Sequence, residues 1–376
     1  MKKFLIVAHY SRFLIQFELN DARILQSMGY EVHYACNYRQ EDMYENAKQL
    51  IEDNAIILHQ IDFSRSPFTI FKHWKVYQQL VFLMQTQKFD GVHCHTPIAS
   101  VLTRLASHKT NTTPVLYTAH GFHFFKGCPI QNQLLYKTAE RWMARYTDAL
   151  ITMNHEDYIS AQTLPLRGKA YYIPGVGVDT KGIAALQVDR ADKRKQLGIA
   201  PDDFVFISVG ELIKRKNHET AIRAFAKAQI SHAVYVICGS GILQEELCCL
   251  IKDLNIEEKI KFIGFRIDAK EIIKAADICV FPSYQEGMPM ALMEAMAAGL
   301  PCIVSEIRGN VDLIEDGKGG YLCDAAMSGD FVKAMQTLAQ HREICETMGA
   351  WNLEKIKQFD ISKVSESMTR IYNEQL

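Results

Sequence analysis

The feature that most constrains this chain is an alternation of short apolar runs with longer segments of helical periodicity along almost its whole length. Runs of five to seven residues with few polar positions are typical of strands that are buried on both faces of a parallel sheet. Helices between such strands cover the sheet, so the alternation predicts an α/β architecture. The runs cover residues 4–8, 31–35, 55–61, 90–95, 114–120, 148–153 and 170–174, and then 204–210, 233–239, 259–265, 277–283 and 301–307.

The two series of runs predict two Rossmann-like, doubly wound domains, because each series is long enough to form a sheet of its own. The segment IPGVGVDTKG (173–182) interrupts the pattern with glycines and a proline. We therefore expect a first domain over 1–177 and a second over 178–360, with a last helix over 361–376 that crosses back to the first. Ligands bind outside the carboxyl ends of parallel strands, which predicts a site in a cleft between two facing domains.

Charge and composition exclude several classes of protein. The formal net charge is −1, from 42 Lys and Arg against 43 Asp and Glu, so the chain lacks the basicity of a nucleic-acid-binding domain. Residues 1–177 carry 18 basic and 14 acidic side chains whereas the remainder is acidic, which favours an anionic partner for the first domain. The ten cysteines form no C-x-x-C pair, and no apolar run reaches membrane-spanning length. These features predict a reduced, cytoplasmic protein.

The most informative segment for function is FPSYQEGMPMALMEAMAAGLPCIVSE (281–306). A strand ends before Glu286 and Gly287. A helix then begins near Met290, with Glu294 just over one turn inside it. The free N–H groups of its first turn form a site for a phosphate, and the two carboxylates accept hydrogen bonds from sugar hydroxyls. An isolated pair of acids at this spacing is more often a loop acid and a solvated helix residue, but the strand–loop–helix context favours the binding site.

Five motifs together carry a resemblance to a known family. EGMPMALMEAMAAGLPCIVS (286–305) resembles the E-x7-E signature of retaining family-4 glycosyltransferases with the GT-B fold. The upstream segments 209–225, 237–247 and 262–283 are similar to that family in order and spacing, and LYTAHGFHFFKG (116–127) is like the branch that builds capsules, exopolysaccharides and lipid-linked glycans. The resemblance covers essentially the whole chain and implies the two-domain GT-B fold.

The resemblance implies roles for individual residues. Glu286 would bind hydroxyls of the donor sugar, and Glu294 would hold the ribose hydroxyls of the nucleotide. Lys216 would hold the diphosphate, where an ammonium group stabilises charge on the leaving group, although a solvated lysine is the alternative. Arg266 would lie at the nucleobase edge, with an ordinary surface arginine as the equal alternative. His120 would lie near the donor phosphate and the anomeric carbon, where it donates a hydrogen bond or positions the acceptor.

Further residues complete the donor site that the resemblance implies: Gly210, Ser240, Gly241, Gly287, Met288 and Met290. Gly241 would let the backbone approach the diphosphate, although a simple tight turn explains the Gly-Ser-Gly sequence equally well. Glu211 is a departure, because many family members have an arginine there that pairs with the lysine on the diphosphate. A carboxylate cannot assist an anionic leaving group, so we interpret Glu211 as a subfamily variant that points away or does something else.

The first domain is expected to bind the acceptor. Residues 71–89 and 120–146 mix aromatic side chains with Lys and Arg, a combination that suits contact with an anionic bilayer or a polyprenyl-diphosphate-linked sugar. Aromatic core packing with solvated basic residues explains each stretch equally well. Arg12, after the first strand, is a candidate contact for an acceptor phosphate, and His123 is a second candidate for the acceptor.

The histidines of the first domain raise the question of a metal. His93 and His95 are two residues apart on a predicted strand, and we expect one to face sheet packing and the other the edge of the cleft. Together with His120 and His123 they are therefore not expected to form a metal site. No D-x-D pair follows a strand either, which argues against a metal-dependent sugar-transfer fold.

The resemblance thus implies a retaining glycosyltransferase that needs no metal and no cofactor beyond its nucleotide-sugar donor. It would move a hexosyl or N-acetylhexosaminyl group from a UDP-sugar to a polyprenyl-diphosphate-linked glycan, at the inner face of the plasma membrane. Two alternatives stay open. A nucleotide-sugar 2-epimerase of similar fold would convert its donor without an acceptor, and a protein that binds nucleotide sugars or glycans without catalysis would account for Glu211.

Overall fold

The structure is a computed structural model that describes every residue except 40–46 and 65–68. The chain divides into two compact units. The first comprises Met1–Val176 together with Ser362–Leu376, and the second comprises Gly177–Ile361. In each unit a sheet is formed by strands that all run parallel to their neighbours, which confirms the predicted class of two doubly wound α/β domains.

The sheet of the first unit has the strand order β3-β2-β1-β4-β5-β6-β7. The chain leaves β1 toward β2 on one side and later returns to β4 on the other, so β1 and β4 flank the switch point at which ligands bind in open parallel sheets. Both β4 and β5 are buried along their full length, as their apolar sequences predict. The strands are β1 Lys2–Val7, β2 Tyr30–Cys36, β3 Ile57–Gln60, β4 Gly91–His95, β5 Val115–Ala119, β6 Ala149–Thr152 and β7 Lys169–Tyr172.

Helices cover this sheet and bury their apolar faces against it. In α4, for example, Val76, Leu80 and Met84 recur at the four-residue spacing of one helix face and join the core with β1 and β4. A π-helical turn, Leu14–Glu18, separates α1 from α2. The helices include α1 Ser11–Phe13, α2 Leu19–Ser27, α3 Ala47–Asp53, α4 Ile70–Gln87, α5 Pro97–Thr110, α6 Ile130–Met143 and α7 His155–Gln162.

The sheet of the second unit has the order β10-β9-β8-β11-β12-β13, so its switch point lies between β8 and β11. The strands are β8 Phe204–Val209, β9 Ala233–Cys238, β10 Ile260–Gly264, β11 Ile278–Phe281, β12 Cys302–Ser305 and β13 Gly320–Cys323. The sequence did not predict β13. This strand is only four residues long, begins with a glycine, follows Gly317 and Gly319 and precedes Asp324, and such residues are typical of turns.

The remaining helices belong to the second unit, except for the last. They include α8 Thr180–Ala185, α9 Arg190–Gln196, α10 His218–Ala228, α11 Gln244–Asp253, α12 Ala269–Ala275, α13 Met290–Ala297, α14 Asn310–Leu313, α15 Ser328–Gln340, α16 Arg342–Lys355 and α17 Ile361–Gln375. The buried residues of α17 are Val364, Met368, Ile371 and Tyr372, an amphipathic spacing that packs this helix on the first unit. No helix among the described residues combines the length and the apolarity required to cross a bilayer.

Candidate functional site

One candidate site lies at the switch point of the second unit, at the carboxyl ends of β8 and β11. Lys216 closes a 3₁₀ turn, Lys214–Lys216, that follows β8, and Glu286 lies in the loop that follows β11. Lys216 Nζ is 2.8 Å from Glu286 Oε1, and an Arg215 guanidinium nitrogen is 3.0 Å from Glu286 Oε2. The structure thus brings together two residues that the resemblance singles out, and it adds Arg215, which directly precedes Lys216 in the chain.

Glu286 is buried and nevertheless held in its ionised form. Burial alone would raise its pKa, but Lys216 and Arg215 outweigh that effect and hold the pKa of this carboxyl below its ordinary value. Lys216 Nζ also lies 4.8 Å from the centre of the Phe281 ring. Arg308, which sequence reasoning missed, donates from Nε to the Glu286 carbonyl at 3.1 Å. The carboxylate of Glu286 is therefore fixed between two cations. An incoming anion would contact the same two cations.

Glycines determine how closely the neighbouring loops approach this pair. A Cβ at Gly241 would lie 2.5 Å from the Leu212 carbonyl oxygen, and a Cβ at Gly239 would collide with the Gly210 carbonyl oxygen. The Leu212 N–H donates to the Ser240 carbonyl at 2.9 Å. The Gly-Ser-Gly turn is therefore packed directly on the loop that follows β8, and this backbone packing is sufficient to require its glycines.

The loop of the buried glutamate leads directly into α13, which begins at Met290. Pro289 precedes the helix and has no polar side chain to cap it, so the N–H groups of the first turn are oriented to donate to an anion. Met288 is buried beside it. Gly309 has a φ of 79°, and a Cβ there would collide with the Gly287 carbonyl, so this loop depends on a second glycine downstream.

Two other predicted donor residues have partners of their own. Glu294 pairs with Lys270, whose Nζ is 3.5 Å from Glu294 Oε1. Burial raises the pKa of Glu294, and Lys270 opposes that effect only in part. Arg266 follows β10 and donates two hydrogen bonds of 2.7 Å to Asp268. Among the described residues, neither Glu294 nor Arg266 makes an ion pair with the lysine and glutamate at the switch point.

Glu211, the departure from the family pattern, is exposed on the loop after β8. Its backbone carbonyl lies 3.2 Å from His218 Nε2. Within the described part of the chain, Lys216 makes its ion pair with Glu286 and not with Glu211. The role of Glu211 toward the diphosphate stays a prediction.

A second cluster lies at the switch point of the first unit. Glu18 ends the π-helical turn after β1, His95 ends β4, and His120 follows β5. Glu18 Oε1 is 3.0 Å from His120 Nε2 and 3.4 Å from His95 Nδ1, and these two imidazole nitrogens are 3.3 Å apart. The sequence singled out His120 and missed Glu18, since no motif marks a residue whose position depends on a π-helical turn and on strand order.

Burial keeps this cluster uncharged near neutral pH. It raises the pKa of Glu18 to about 8 and lowers the pKa of His120 to about 4. The pKa of His95 is also lowered well below its ordinary value, first by burial and then by the neighbouring histidines. The cluster therefore has no positive charge of its own to attract a phosphate.

The expectation that His93 and His95 face different surroundings was wrong. Residues two apart on a strand point to the same face, and the centres of these two rings are 4.2 Å apart. His93 lies deeper, with Nδ1 2.8 Å from the Tyr372 hydroxyl and Nε2 2.7 Å from Thr118 Oγ1. The Tyr372 hydroxyl donates to Asp21 Oδ2 at 3.1 Å, so α17 contributes to the inner layer of the cluster.

The two candidate acceptor contacts lie on segments next to this cluster. Arg12 is on α1, and its guanidinium is 5.9 Å from the centre of the Tyr10 ring. His123 is exposed in the segment after β5, with its ring 4.9 Å from that of Tyr136 on α6. Their roles toward an acceptor stay predictions.

Comparison with known proteins covers both units. The family model described as glycosyl transferases group 1 matches residues 189–352, and the one described as glycosyl transferase 4-like matches residues 4–154. EpsD of Bacillus subtilis is 35% identical over 99% of this chain and 96% of its own length. The UDP-Gal:alpha-D-GlcNAc-diphosphoundecaprenol alpha-1,3-galactosyltransferase of Escherichia coli is 33% identical over 71% of this chain and 70% of its own.

Solved structures share the fold at lower identity. The crystal structure of Anabaena Alr3699/HepE in complex with UDP and glucose superposes with a TM-score of 0.81 at 19% identity, over 100% of both chains. A sucrose-phosphate synthase from Thermosynechococcus elongatus superposes with a TM-score of 0.79 at 17% identity, over 100% of this chain and 99% of its own. At such identities the likeness concerns the fold alone.

Proposed function

The chain belongs to the group 1 glycosyl transferases and has the GT-B fold, and from this premise we propose that it transfers a hexosyl or N-acetylhexosaminyl group from a UDP-sugar. The acceptor is a glycan on a polyprenyl diphosphate, and the anomeric configuration is retained. The Escherichia coli relative supports both substrates, since its name specifies a UDP-sugar donor and a diphosphoundecaprenol-linked acceptor. The motif resemblance supports a place in exopolysaccharide or capsule assembly.

The observation that carries the proposal is the ion pair between Lys216 and the buried Glu286 at the switch point, with Nζ and Oε1 2.8 Å apart. A nucleoside diphosphate placed there meets the Lys216 ammonium, the Arg215 guanidinium and the first-turn N–H groups of α13. These groups stabilise the negative charge that grows on the leaving diphosphate. Glu286 keeps both cations in position and has oxygens to accept hydrogen bonds from sugar hydroxyls.

In this proposal the donor half of the reaction needs no metal, because Lys216, Arg215 and the start of α13 all contribute positive charge beside the diphosphate. The leaving diphosphate accepts the proton of the acceptor hydroxyl on the face that it departs from. No side chain then has to act as general base, and the configuration is retained. We expect the affinity for UDP to be the same with and without excess chelator, as measured by calorimetry.

Exposed apolar side chains on two helices of the first unit support a peripheral contact with the inner face of the plasma membrane. Each of these residues is at least 58% exposed: Ile70, Phe71, Trp74 and Phe82 on α4, and Ile130, Leu134, Leu135 and Trp142 on α6. Basic residues accompany them, namely Lys72, Lys75, Lys137 and Arg141. Interfacial helices combine apolar and basic side chains in this way, and the acceptor is itself anchored in the bilayer.

Vesicle sedimentation tests that contact. The double change Phe71→Ser and Trp74→Ser should weaken binding to vesicles that contain anionic lipid by about tenfold or more, since burial of each aromatic side chain contributes roughly 1.5–3 kcal/mol. Ile159→Ser is the matched control, because Ile159 is 65% exposed on α7. Equal binding by both variants would contradict a membrane role for α4.

The test of the function is release of UDP from a panel of UDP-sugars, with and without a polyprenyl-diphosphate-linked glycan. Release that depends on the acceptor, with an α-linked product by NMR, supports retaining transfer. Conversion of the donor without an acceptor would instead support a 2-epimerase. Binding without any turnover would support a protein that only binds nucleotide sugars.

A further inference from the structure

Three ligand atoms of the first unit converge on one point. Glu18 Oε1, His95 Nδ1 and His120 Nε2 form a triangle with edges of 3.0, 3.3 and 3.4 Å. Two imidazole nitrogens and one carboxylate oxygen are the donor set of many zinc sites, with bond lengths of about 2.0–2.2 Å. In a tetrahedron, such bonds place the ligand atoms about 3.3–3.6 Å from one another. The edges of 3.3 and 3.4 Å lie within that range, and the edge of 3.0 Å is somewhat shorter.

A hydrogen bond explains only one edge of the triangle, the one between His95 Nδ1 and His120 Nε2. Glu18 Oε1 is buried at ion-pair distance from both histidines, yet among the described residues it has no hydrogen-bond partner of acceptable geometry. The second nitrogen of His95, Nε2, is buried without a partner there as well. A buried carboxylate oxygen without hydrogen bonds is costly, and a bound cation removes that cost.

The charge balance points the same way. Glu18 and Asp21 are both buried, and their ion-pair contacts among the described residues are with histidines. Two other buried carboxylates of this chain have a permanent cation, since Glu140 pairs with Arg104 and Glu286 pairs with a lysine and an arginine. One divalent cation would compensate both acids of the first unit, which no lysine or arginine in the described chain does.

The backbone at the cluster is also built in an unusual way. Glu18 reaches the histidines from a π-helical turn, a rare conformation that is frequent at functional sites. Thr96, which directly follows His95, has a φ of 60°, a strained value for a β-branched residue. Strain of this kind persists where the surrounding structure requires it, and it clusters at sites of function.

We propose that Glu18, His95 and His120 bind a divalent transition-metal ion of the Zn²⁺ type. Three protein ligands leave a fourth position for an oxygen ligand, as in zinc sites that exchange water. That position lies on the side of His120, whose side chain is 23% exposed while those of Glu18 and His95 are 4% and 0% exposed. Water or an oxygen of the acceptor fits there. The donor site of the second unit is a separate set of residues.

The layer behind the ligands fixes their orientation. Asp21 interacts directly with the Glu18 carboxyl and accepts a hydrogen bond from Tyr372. His93 packs against the ring of His95 and is itself held by Tyr372 and Thr118. Such outer contacts are typical of metal sites, where they set the position and basicity of the ligands.

Metal titration of the whole chain tests the proposal. After removal of metals with a chelator, wild-type protein should bind one equivalent of Zn²⁺ by calorimetry. With Co²⁺ it should show visible d–d bands without thiolate-to-cobalt charge transfer in the near ultraviolet. Charge-transfer bands would place the ion on cysteine, of which Cys249 is exposed, and would overturn the assignment.

Two variants and a control localise the ion. Glu18→Gln keeps the shape of the side chain, and His120→Ala changes the most exposed of the three ligands. If one of these variants fails to fold, the other still tests the site. Each should lower Zn²⁺ affinity by more than the roughly 10–100-fold that loss of an outer contact costs, and should abolish the Co²⁺ bands. His108→Ala, on the exposed face of α5, should bind as wild type does. Absence of stoichiometric binding, or equal affinity in all four proteins, would overturn the proposal. The UDP affinity of Glu18→Gln, measured in parallel, reports on the donor site independently.

Discussion

The two units place a buried carboxylate at the same point of the same strand order and give it opposite surroundings. Glu286 lies at the switch point between β8 and β11 of the second sheet. Lys216 and Arg215 hold it there, and its pKa is lowered despite burial. Glu18 lies at the switch point between β1 and β4 of the first sheet. Its neighbours are the imidazoles of His95 and His120 and the carboxyl of Asp21, and burial raises its pKa to about 8. The fold supplies the position, and the neighbouring side chains decide which charge the position prefers.

The two sites therefore suit ligands of opposite charge. In the second unit the carboxylate is already ionised and two cations are aligned beside it, which suits a diphosphate. In the first unit the carboxyl has no permanent cation among the described residues, and so it favours either a proton or a metal ion.

Lys216→Ala should have the largest effect on transfer, because in the proposed function it removes the charge that stabilises the leaving diphosphate. The expected loss in kcat/KM is about 100–1,000-fold. Initial rates with saturating acceptor measure it. Lys214→Ala in the same 3₁₀ turn is the matched control, since Lys214 is exposed. Equal rates for the two variants would remove the basis of the donor site.

Glu286→Ala should lower transfer by about 100-fold, since it leaves two cations facing each other without the carboxylate that fixes them. UDP alone should bind this variant at least as tightly as wild type, because its diphosphate replaces the lost negative charge. A calorimetric titration with UDP separates the two effects. Loss of UDP affinity together with activity would show that the loop had collapsed.

Glu18→Gln should change how stability depends on pH in chelated protein. The folded-state pKa of Glu18 is raised to about 8, so between pH 5 and 8 the folded protein holds a proton that the unfolded chain releases. The free energy of unfolding of wild type should therefore fall, relative to the variant, by about 1–3 kcal/mol as pH rises through this window. The histidines are common to both proteins and cancel in the difference. Parallel urea curves at pH 5 and 8 giving one constant offset would contradict the raised pKa.

Glu211→Ala should have the smallest effect, within about threefold on kcat/KM, because Glu211 is exposed and has no ion pair with Lys216 among the described residues. A loss as large as that of Lys216→Ala would show that the departure from the family arginine takes part in the reaction.

The sequence predicted the architecture well because burial on both faces of a strand leaves a local trace in each short apolar run. It missed β13, whose brief GYLC run is surrounded by turn-forming residues. The motif identified Lys216 and Glu286. It did not identify Arg308, because the hydrogen bond from Arg308 joins it to a residue 22 positions earlier in the chain, Glu286. The cluster in the first unit escaped for a similar reason: Glu18, His95 and His120 meet only through strand order and a π-helical turn.

The path of the chain has a consequence for synthesis. Tyr372 and Asp21 are 351 positions apart, and their hydrogen bond belongs to a unit that the second unit interrupts. A ribosome that has just completed the first sheet must add about 200 more residues before α17 exists, which takes roughly 10–40 s at bacterial speed. During that interval the nascent first unit exposes the surface that α17 later covers, and the hydroxyl partner of His93 is still missing while the interrupting unit is being made. The earliest-made half of this enzyme is thus the last to be finished.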